Sequence, residues 1–488
     1  MYLTTTLDRM ICALSRRRRQ IDIIYLPRFS LYHVSLSAWK VLWGGFVLKW
    51  EVLALAIEAL SWMDLRRINE RLALMRTARQ LHIQDEAVLR HAFRLIMEVT
   101  RRINALDRLA SQALGQKRLD DLSLGVRSFL RIYISEVKYR GSAYKEAVEM
   151  SGLAREILGP RELAPIEEAL ELTPHMEIQF EGLSRDEATA LRTFHPAWYV
   201  RYCRELIGEE ETQKLLQAPD PPTYVRINSL KGADEGILEI LRRERVELEG
   251  EAGMGQTFRV VNQLRPLNLL EAYREGLFTV QDKASALAGL VAAPEPGMTV
   301  LDICAAPGIK TGHLAQLMEG RGRIFSLDFS ERRLETWQKE MTRLGVENAV
   351  PVKGDARKPG DFPDVEADLI LVDPPCTGTG TFNRVPSGKW RLSRRSIDRM
   401  AAVQRDILNN CAGKVREGGS IVYCTCSITE EENEMVTRNF LRARSDYRLV
   451  EAEPRFGLPG LRGQSEAQRL YPHIHKCNGF YVARLTRS

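Results

Sequence analysis

The C-terminal half of the chain alternates short apolar strands with amphipathic helices. The predicted strands are TVLDIC (299–304), RIFSLD (323–328), AVPVKGD (349–355), DLILVD (368–373) and SIVYCTCS (420–427). The predicted helices are KTGHLAQLME (310–319), SERRLETWQKEMTRLG (330–345) and SIDRMAAVQRDILNNCAGKVREGG (396–419). This alternation predicts an open, doubly wound, mostly parallel α/β sheet over residues 291–488. Since ligands bind beyond the carboxyl ends of strands in such sheets, the candidate ligand-binding positions are CAAPG, Asp328, Asp355, DPPC and CTCS.

The preceding residues have a different texture, and a chain of 488 residues is long enough for two to four domains. Residues 48–172 show apolar spacings of three and four throughout, which predicts an all-α domain that begins near Trp50. Residues 174–290 mix a helix over 195–216, a strand over 223–230 and a helix running into a strand over 236–250. They are interpreted as a small α+β module. Residues 1–47 form an extension of uncertain order, in which Arg16 to Arg19 are either a solvated tail or an RNA-contacting arm.

Charge and cysteine usage narrow the classes of function. A formal net charge of +6 and a pI near 8.8 are compatible with a nucleic-acid partner. Charged residues and a Gly-Gly pair interrupt the apolar region 34–63, so we expect no membrane span. The eight cysteines are scattered and include no paired CxxC motifs, so we expect no metal site and a reducing, cytoplasmic location.

The first three strands end in features suited to a nucleoside cofactor. LDICAAPGIKTG (301–312) allows close backbone approach but lacks the GxxxxGK[ST] pattern of a phosphate loop. Asp328 is placed to accept both hydroxyls of a ribose, and Asp355 lies within reach of an adenine amino group. Each acid alone could be an ordinary strand-end residue. Together they favour S-adenosylmethionine over a dinucleotide.

The last two strands end in cysteines. DPPCTGTG (373–380) carries Cys376, and YCTCSI (423–428) carries Cys424 and Cys426. Methylation of carbon 5 of a pyrimidine requires a thiolate to add to carbon 6, which makes carbon 5 nucleophilic. Asp373 is placed to bond N3 and the amino group of a cytosine. We expect Cys376 and Cys426 to share one crevice, and Cys424 to pack deeper in its strand.

These motifs resemble a known family. LDICAAPGIKT, SLDFSERR, KGDAR, DPPCTGTG, YCTCSITEEEN and HKCNGFYVARL, in this order, are similar to the Sun/Nop family of RNA cytosine-5 methyltransferases, which have a Rossmann-like sheet. The resemblance covers about 195–486 and includes HPAWYVRYC, YVRINSLK and GLFTVQDKASAL. FLRIYISEVKYRGSAYKEAVEMSG more weakly resembles the NusB-like RNA-binding domain found ahead of bacterial ribosomal-RNA members.

The resemblance implies roles for individual residues. Cys426 is the implied nucleophile and Cys376 assists release of the product RNA, with Asp373 and Lys310 completing the catalytic set. The implied cofactor residues are Cys304, Ala305, Ala306, Pro307, Gly308, Ile309, Lys310, Asp328, Arg333, Asp355 and Asp373. The family usually has glycine where this chain has Ile309, which would be costly if that position needs a positive φ.

Several alternatives stay open. The substrate is ribosomal RNA in the favoured interpretation and transfer RNA in the next; a monomer is expected. An amino-group methyltransferase would not need the two cysteines, and a non-catalytic RNA-binding assembly factor would not need the cofactor. A metal site built from Cys376, Cys424 and Cys426 with His473 or His475 is a more distant alternative. The acidic run TEEENE is interpreted as the start of the next helix, where carboxylates suit the helix dipole.

Overall fold

The computed structural model describes residues 49–142 and 144–488. The extension 1–47, with its arginine run, therefore lies outside the described residues. Contacts between residues divide the chain into two compact units, and the boundary falls between Gly182 and Leu183. The four-stranded and nine-stranded sheets both belong to the second unit. The domain boundaries expected at 172–174 and at 290–291 stay predictions.

The first unit is helical over its described residues, as predicted. Its α-helices are Trp50–Arg66, Glu70–Gln80, Glu86–Arg101, Ile103–Leu114, Leu124–Ile134, Tyr144–Leu158, Pro160–Leu163 and Glu167–Leu172, with a π-helical turn at Ser135–Tyr139. The first of these is buried continuously from Val52 to Met63 and forms the centre of the core. Arg131, also buried, donates hydrogen bonds to Asp64 and Asp107 at 2.6–2.9 Å. Among residues 49–142 and 144–488, no helix has the length and apolar character that crossing a membrane requires.

The second unit begins with a small antiparallel sheet. Its strands are β1 (Tyr224–Ile227), β2 (Val246–Gly250), β3 (Thr257–Gln263) and β4 (Phe278–Val280), in the order β2-β3-β1-β4. The accompanying helices are Arg185–Thr193, Ala197–Ile207, Glu209–Leu216, Asp234–Arg243, Glu271–Arg274 and Lys283–Ala292. The prediction of a single helix over 195–216 was wrong, because the segment forms the two helices Ala197–Ile207 and Glu209–Leu216. Gly208, with φ of 82°, ends one helix and starts the next.

A nine-stranded sheet forms the rest of the second unit. Its strands are β5 (Thr299–Ile303), β6 (Arg323–Asp328), β7 (Ala349–Lys353), β8 (Ala367–Val372), β9 (Val415–Thr425), β10 (Tyr447–Val450), β11 (Leu458–Pro459), β12 (Gln468–Leu470) and β13 (Phe480–Arg487). The order is β11-β12-β13-β9-β8-β5-β6-β7, and β10 pairs with β13. Strands β5 to β9 pair in parallel, which confirms the doubly wound sheet, whereas β13 joins β9 in antiparallel. The helices are Ile309–Leu317, Glu331–Leu344, Ser387–Arg391, Arg394–Ala412, Glu434–Ala443 and Pro472–His475.

Both faces of the central parallel strands are buried, whereas the edge strand β7 is partly exposed. Leu301 and Ile303 of β5 pack into the core on one face of the sheet, and Val300 packs into the core on the other. Burial on both faces explains why these strands are continuous apolar runs rather than alternating ones.

Two predicted boundaries after β8 were wrong. The helix expected over 396–419 ends at Ala412, and β9 starts at Val415, because Val415 pairs with Ala367 and extends the strand. The run TEEENE does not start a helix at once, since residues 430–433 form a turn and the helix begins at Glu434. Glu432 and Glu434 are fully buried, so they are not solvated first-turn carboxylates.

The buried ion pair between Glu434 and Arg469 gives a test of this part of the fold. Their side chains are 0% and 1% exposed, and Arg469 Nε lies 2.6 Å from Glu434 Oε1. We expect Glu434→Gln to lower the free energy of unfolding by about 3–5 kcal/mol, because it leaves the guanidinium buried without a counter-charge. Denaturant unfolding measures the change. The control is Glu451→Gln, which removes a surface pair with Arg455 and should cost less than about 1 kcal/mol; equal losses in the two variants would contradict the prediction.

Candidate active site

A cavity of about 540 Å³ lies at the carboxyl edge of the parallel strands. It is large enough for a nucleoside-sized ligand. Its lining includes eight of the residues implied by sequence: Cys304, Ala306, Asp328, Arg333, Asp355, Asp373, Cys376 and Cys426. The other implied residues, Ala305, Pro307, Gly308, Ile309 and Lys310, stand outside this lining in the adjoining loop and helix.

Asp328 ties the CAAPG loop to the end of β6. Its Oδ2 accepts from the Ala306 N–H at 3.2 Å, and its Oδ1 accepts from the Ser330 N–H at 3.1 Å. Arg333 Nη1 lies 3.0 Å from the same carboxylate and its Nη2 donates to the Ala306 carbonyl. The carboxylate therefore organises the cavity wall, and its role toward a ribose stays a prediction.

Asp355 is held at the neighbouring strand end by Arg357. The guanidinium bonds both carboxylate oxygens, at 2.6–3.2 Å, and this hydrogen bonding lowers the pKa of Asp355. Asp355 thus lines the cavity as an ion-paired carboxylate. Its role toward an adenine stays a prediction.

Apolar residues of the cavity were missed by the sequence reasoning. Phe329 follows Asp328 directly and is 65% exposed at the cavity edge. Met400, Val403 and Ile407 line the wall from the helix Arg394–Ala412. Their spacing of three and four residues marks one helix face, but that pattern alone cannot show which helix lies over the strand ends.

Ile309 does not occupy the strained position of the loop. It is the first residue of the helix Ile309–Leu317, and the left-handed conformation falls on Gly308, with φ of 106°, and on Cys304, with φ of 64°. A Cβ on Gly308 would lie 2.8 Å from Met341 Cε and 3.0 Å from Trp337 Cδ1. The loop therefore needs glycine at 308, and isoleucine at 309 is compatible with the helical backbone.

Lys310 and Asp373 form an ion pair beside the cavity. Their Nζ and Oδ2 atoms are 2.6 Å apart, and the lysine side chain is 14% exposed. Burial is the largest single influence and lowers the pKa of Lys310, but the charge of Asp373, its hydrogen bond to the lysine and the neighbouring Cys424 and Cys426 together outweigh burial, so the net pKa is raised. Lys310 is accordingly a fixed cation at the strand end.

Cys424 does more than pack. It is buried, as expected, but its Sγ lies 3.8 Å from Asp373 Oδ1. Burial, followed by the charge of Asp373, raises the pKa of Cys424 well above the usual thiol range. Cys424 is thus a neutral neighbour of Asp373.

Cys376 and Cys426 meet where β8 and β9 end. Their Sγ atoms are 3.1 Å apart, and the Gly380 N–H donates to the Cys426 carbonyl at 3.0 Å. The hydrogen bond with Cys426, together with burial, raises the pKa of the Cys376 thiol. Two sulfur atoms at this distance can share one proton, which leaves one of them as the nucleophile.

The histidines of the alternative metal site, His473 and His475, make other contacts. His473 Nε2 is 2.9 Å from Glu211 Oε2, and His475 Nδ1 accepts from the Tyr471 N–H. Within the part of the chain that the structure describes, no group of three or more His, Cys, Asp or Glu is arranged to hold a metal ion.

Asp302, beneath the cavity, makes stability depend on pH. Burial raises the pKa of Asp302 to about 7, against the opposing hydrogen bond from Thr311 at 2.5 Å. The pKa of an aspartate in the unfolded chain is about 4, so the folded state binds the Asp302 proton more tightly than the unfolded state does. The stability that this proton contributes is fully present below pH about 4 and is lost as the pH rises to about 7.

We expect the free energy of unfolding of Asp302→Asn to decline less over that pH range than that of the unsubstituted protein. Denaturant unfolding at several pH values measures both slopes. Asp364→Asn removes a fully exposed carboxylate and is the matched control. Identical slopes for Asp302→Asn and the unsubstituted protein would contradict the prediction.

The sequence matches known methyltransferases. A family profile described as 16S rRNA methyltransferase RsmB/F matches residues 289–486. A probable ribosomal RNA small subunit methyltransferase B of Synechocystis is 29% identical over 88% of this chain and 99% of its own length. Ribosomal RNA small subunit methyltransferase B of Escherichia fergusonii is 30% identical over 63% of this chain and 70% of its own length. The human 28S rRNA (cytosine(4447)-C(5))-methyltransferase is 32% identical over 63% of this chain, which spans 40% of that protein.

Solved structures agree with these matches. The crystal structure of PH0851 superposes with a TM-score of 0.78 at 25% identity and covers 90% of this chain and 99% of that one. NSun6 from Pyrococcus horikoshii, solved with SFG, an analogue of S-adenosylmethionine, has a TM-score of 0.56 at 26% identity and covers 60% of this chain and 98% of that one. These matches, together with the two thiols in contact at the strand ends, show that the chain belongs to the Sun/Nop family of S-adenosylmethionine-dependent RNA cytosine-5 methyltransferases.

Proposed function

We propose that this protein methylates carbon 5 of a cytosine in ribosomal RNA through a covalent adduct between Cys426 and carbon 6 of the base. The observation that carries the proposal is the 3.1 Å contact between the sulfur atoms of Cys376 and Cys426, in the wall of a nucleoside-sized cavity. An amino-group methyltransferase has no use for this pair of thiols.

The cavity residues fit S-adenosylmethionine. Asp328 and Asp355 present carboxylates at successive strand ends, and Phe329, Val403 and Ile407 add apolar surface suited to a purine ring. When bound, S-adenosylmethionine supplies an electrophilic methyl group on a sulfonium. The cavity also includes Asp373 and Cys426, so the cofactor and the target base would share it.

The residues around the thiols support each chemical step. The Cys426 thiolate would add to carbon 6, and the electron pair of the 5,6 double bond would form the bond from carbon 5 to the methyl group; the methyl–sulfur bond would break with its electron pair left on sulfur, so that S-adenosylhomocysteine is the leaving group. Asp373, oriented by Lys310, hydrogen-bonds the cytosine ring edge and stabilises the adduct. A base then takes the proton from carbon 5, the electron pair of that C–H bond restores the 5,6 double bond, and Cys426 leaves carbon 6 as a thiolate; Cys376 assists this release.

Ribosomal RNA is the favoured substrate because the relatives named above act on ribosomal RNA. A helical first unit suits the NusB-like RNA-binding role, and the small sheet of β1 to β4 would guide the RNA toward the cavity. A transfer RNA substrate is the second candidate. Monomeric state and cytoplasmic location stay predictions, and size-exclusion chromatography with light scattering measures the first.

Trapping with RNA that contains 5-azacytidine tests the mechanism. Nitrogen replaces carbon 5 of this base, so no proton can be lost there and the adduct persists. We expect the protein with S-adenosylmethionine to form a covalent complex that resists denaturing electrophoresis, and Cys426→Ala to form none.

Two further variants make the experiment specific. On ordinary RNA, Cys376→Ser should accumulate the adduct, because release is slowed while addition remains. Cys424→Ala should form the adduct and lose stability, because its side chain is buried. A covalent complex that persists in Cys426→Ala would contradict the assignment of the nucleophile. Failure to bind S-adenosylmethionine in calorimetry would favour an assembly factor.

A further inference from the structure

Glu432 is buried between the two loops that carry the cysteines. Its side chain is 0% exposed, although it lies in the acidic run TEEENE. Burying a carboxylate is costly unless hydrogen bonds compensate for the lost water. The surrounding groups therefore show what this residue holds in place.

Five groups donate hydrogen bonds to the Glu432 carboxylate. Oε1 accepts from the Thr377 N–H at 2.8 Å and from Gln404 Nε2 at 3.0 Å. Oε2 accepts from the Ser427 hydroxyl at 2.6 Å, from the Thr429 hydroxyl at 2.7 Å and from the Thr377 hydroxyl. The donors are two amides and three hydroxyls, all neutral. The carboxylate is therefore held by several directed hydrogen bonds rather than by an ion pair with one cation.

The donors come from both cysteine loops. Thr377 directly follows Cys376, and Ser427 directly follows Cys426. Gln404, on the helix Arg394–Ala412, also donates to the Pro375 carbonyl at 2.9 Å, just before Cys376. One carboxylate is thus bonded to the residue after each thiol.

From this we propose that Glu432 is the positioning residue that sets the spacing of the Cys376 and Cys426 sulfur atoms, and so the rate at which the adduct forms and resolves. The inference rests on the proposed function for its kinetic part, whereas the spacing itself is a property of the protein alone. Glu432 touches neither sulfur in a hydrogen bond; it acts through Thr377 and Ser427. The charge of Glu432 contributes to the raised pKa of Cys376, after the hydrogen bond with Cys426 and burial.

Two substitutions separate charge from shape. Glu432→Gln keeps the shape, because the three groups facing Oε2 are hydroxyls that can accept from an amide NH₂. It weakens the contacts, because hydrogen bonds to an ionised acceptor are about twice as strong as neutral ones. Glu432→Ala removes all five contacts. The matched control is Glu431→Gln, whose carboxylate bonds Tyr202 and Arg394 instead.

The first measurement is the rate at which the Cys376–Cys426 disulfide forms, which depends on the spacing of the two sulfur atoms. Diamide takes two electrons from the two thiols, which lose two protons and form the Cys376–Cys426 disulfide, while diamide is reduced to its hydrazine. Because a disulfide needs its sulfur atoms brought to about 2.05 Å, the rate reports how closely the loops are held. Mass spectrometry of the linked peptide pair distinguishes this disulfide from those of other cysteines.

The second measurement is the rate of adduct formation with 5-azacytidine RNA, taken beside the thermal unfolding temperature. We expect Glu432→Gln to keep its unfolding temperature close to that of the unsubstituted protein, yet to slow both reactions. For Glu432→Ala we expect both rates to fall by about 10- to 100-fold, because a misplacement of about 1 Å can lower a reaction rate by as much as about 100-fold. Glu431→Gln should leave both rates unchanged.

Each outcome decides the proposal. Unchanged cross-linking in both Glu432 variants would overturn it. Slower adduct formation with unchanged cross-linking would also overturn it, because Glu432 would then act by some means other than spacing. If the unsubstituted protein formed no adduct at all, the proposed function would fail, and the cross-linking rates would still test whether Glu432 holds the two sulfur atoms together.

Discussion

The parallel pairing of β8 with β9 places the ends of these two strands side by side, and the chemistry of the protein depends on that pairing. Val372 is in register with Tyr423, so the loops that follow leave the sheet at the same edge. Each loop carries a cysteine, and the two sulfur atoms come within 3.1 Å. An antiparallel pairing would place the two loops at opposite edges of the sheet, and a one-residue slip in register would turn every side chain of the strand to the opposite face.

Buried charges hold this edge together. Lys310 pairs with Asp373 beside the cavity, and Glu432 accepts hydrogen bonds from both cysteine loops. Farther along the loop, Glu434 pairs with Arg469. Leaving a buried charge unpaired carries a large desolvation cost, so these partners restrict the positions that the loops can take. The fold thus fixes the positions of the charged groups that surround the two thiols.

The sequence predicted the sheet and the strand-end residues because both are marked locally: the spacing of apolar residues indicates strands and helices, and the residues that follow each strand lie at its end. Short apolar runs such as TVLDIC, alternating with amphipathic helices, are typical of buried parallel strands, and parallel strands have their carboxyl ends at one edge of the sheet. The same reasoning failed for TEEENE. A glutamate in a solvated helix turn and one buried under five donors look alike in sequence, and the donors of Glu432 include Thr377 and Gln404, far away along the chain. The helix end at Ala412 was missed for a similar reason, since β9 is extended by its pairing with β8.

The most direct measurement is bisulfite sequencing of total RNA from cells with and without the gene, since 5-methylcytosine resists conversion. The account predicts a cytosine in ribosomal RNA that resists conversion in normal cells and converts when the gene is deleted. Resistance should return with the unsubstituted gene but not with Cys426→Ala. If ribosomal RNA showed the same conversion pattern with and without the gene, the central claim would be contradicted, and a loss confined to transfer RNA would identify the other substrate.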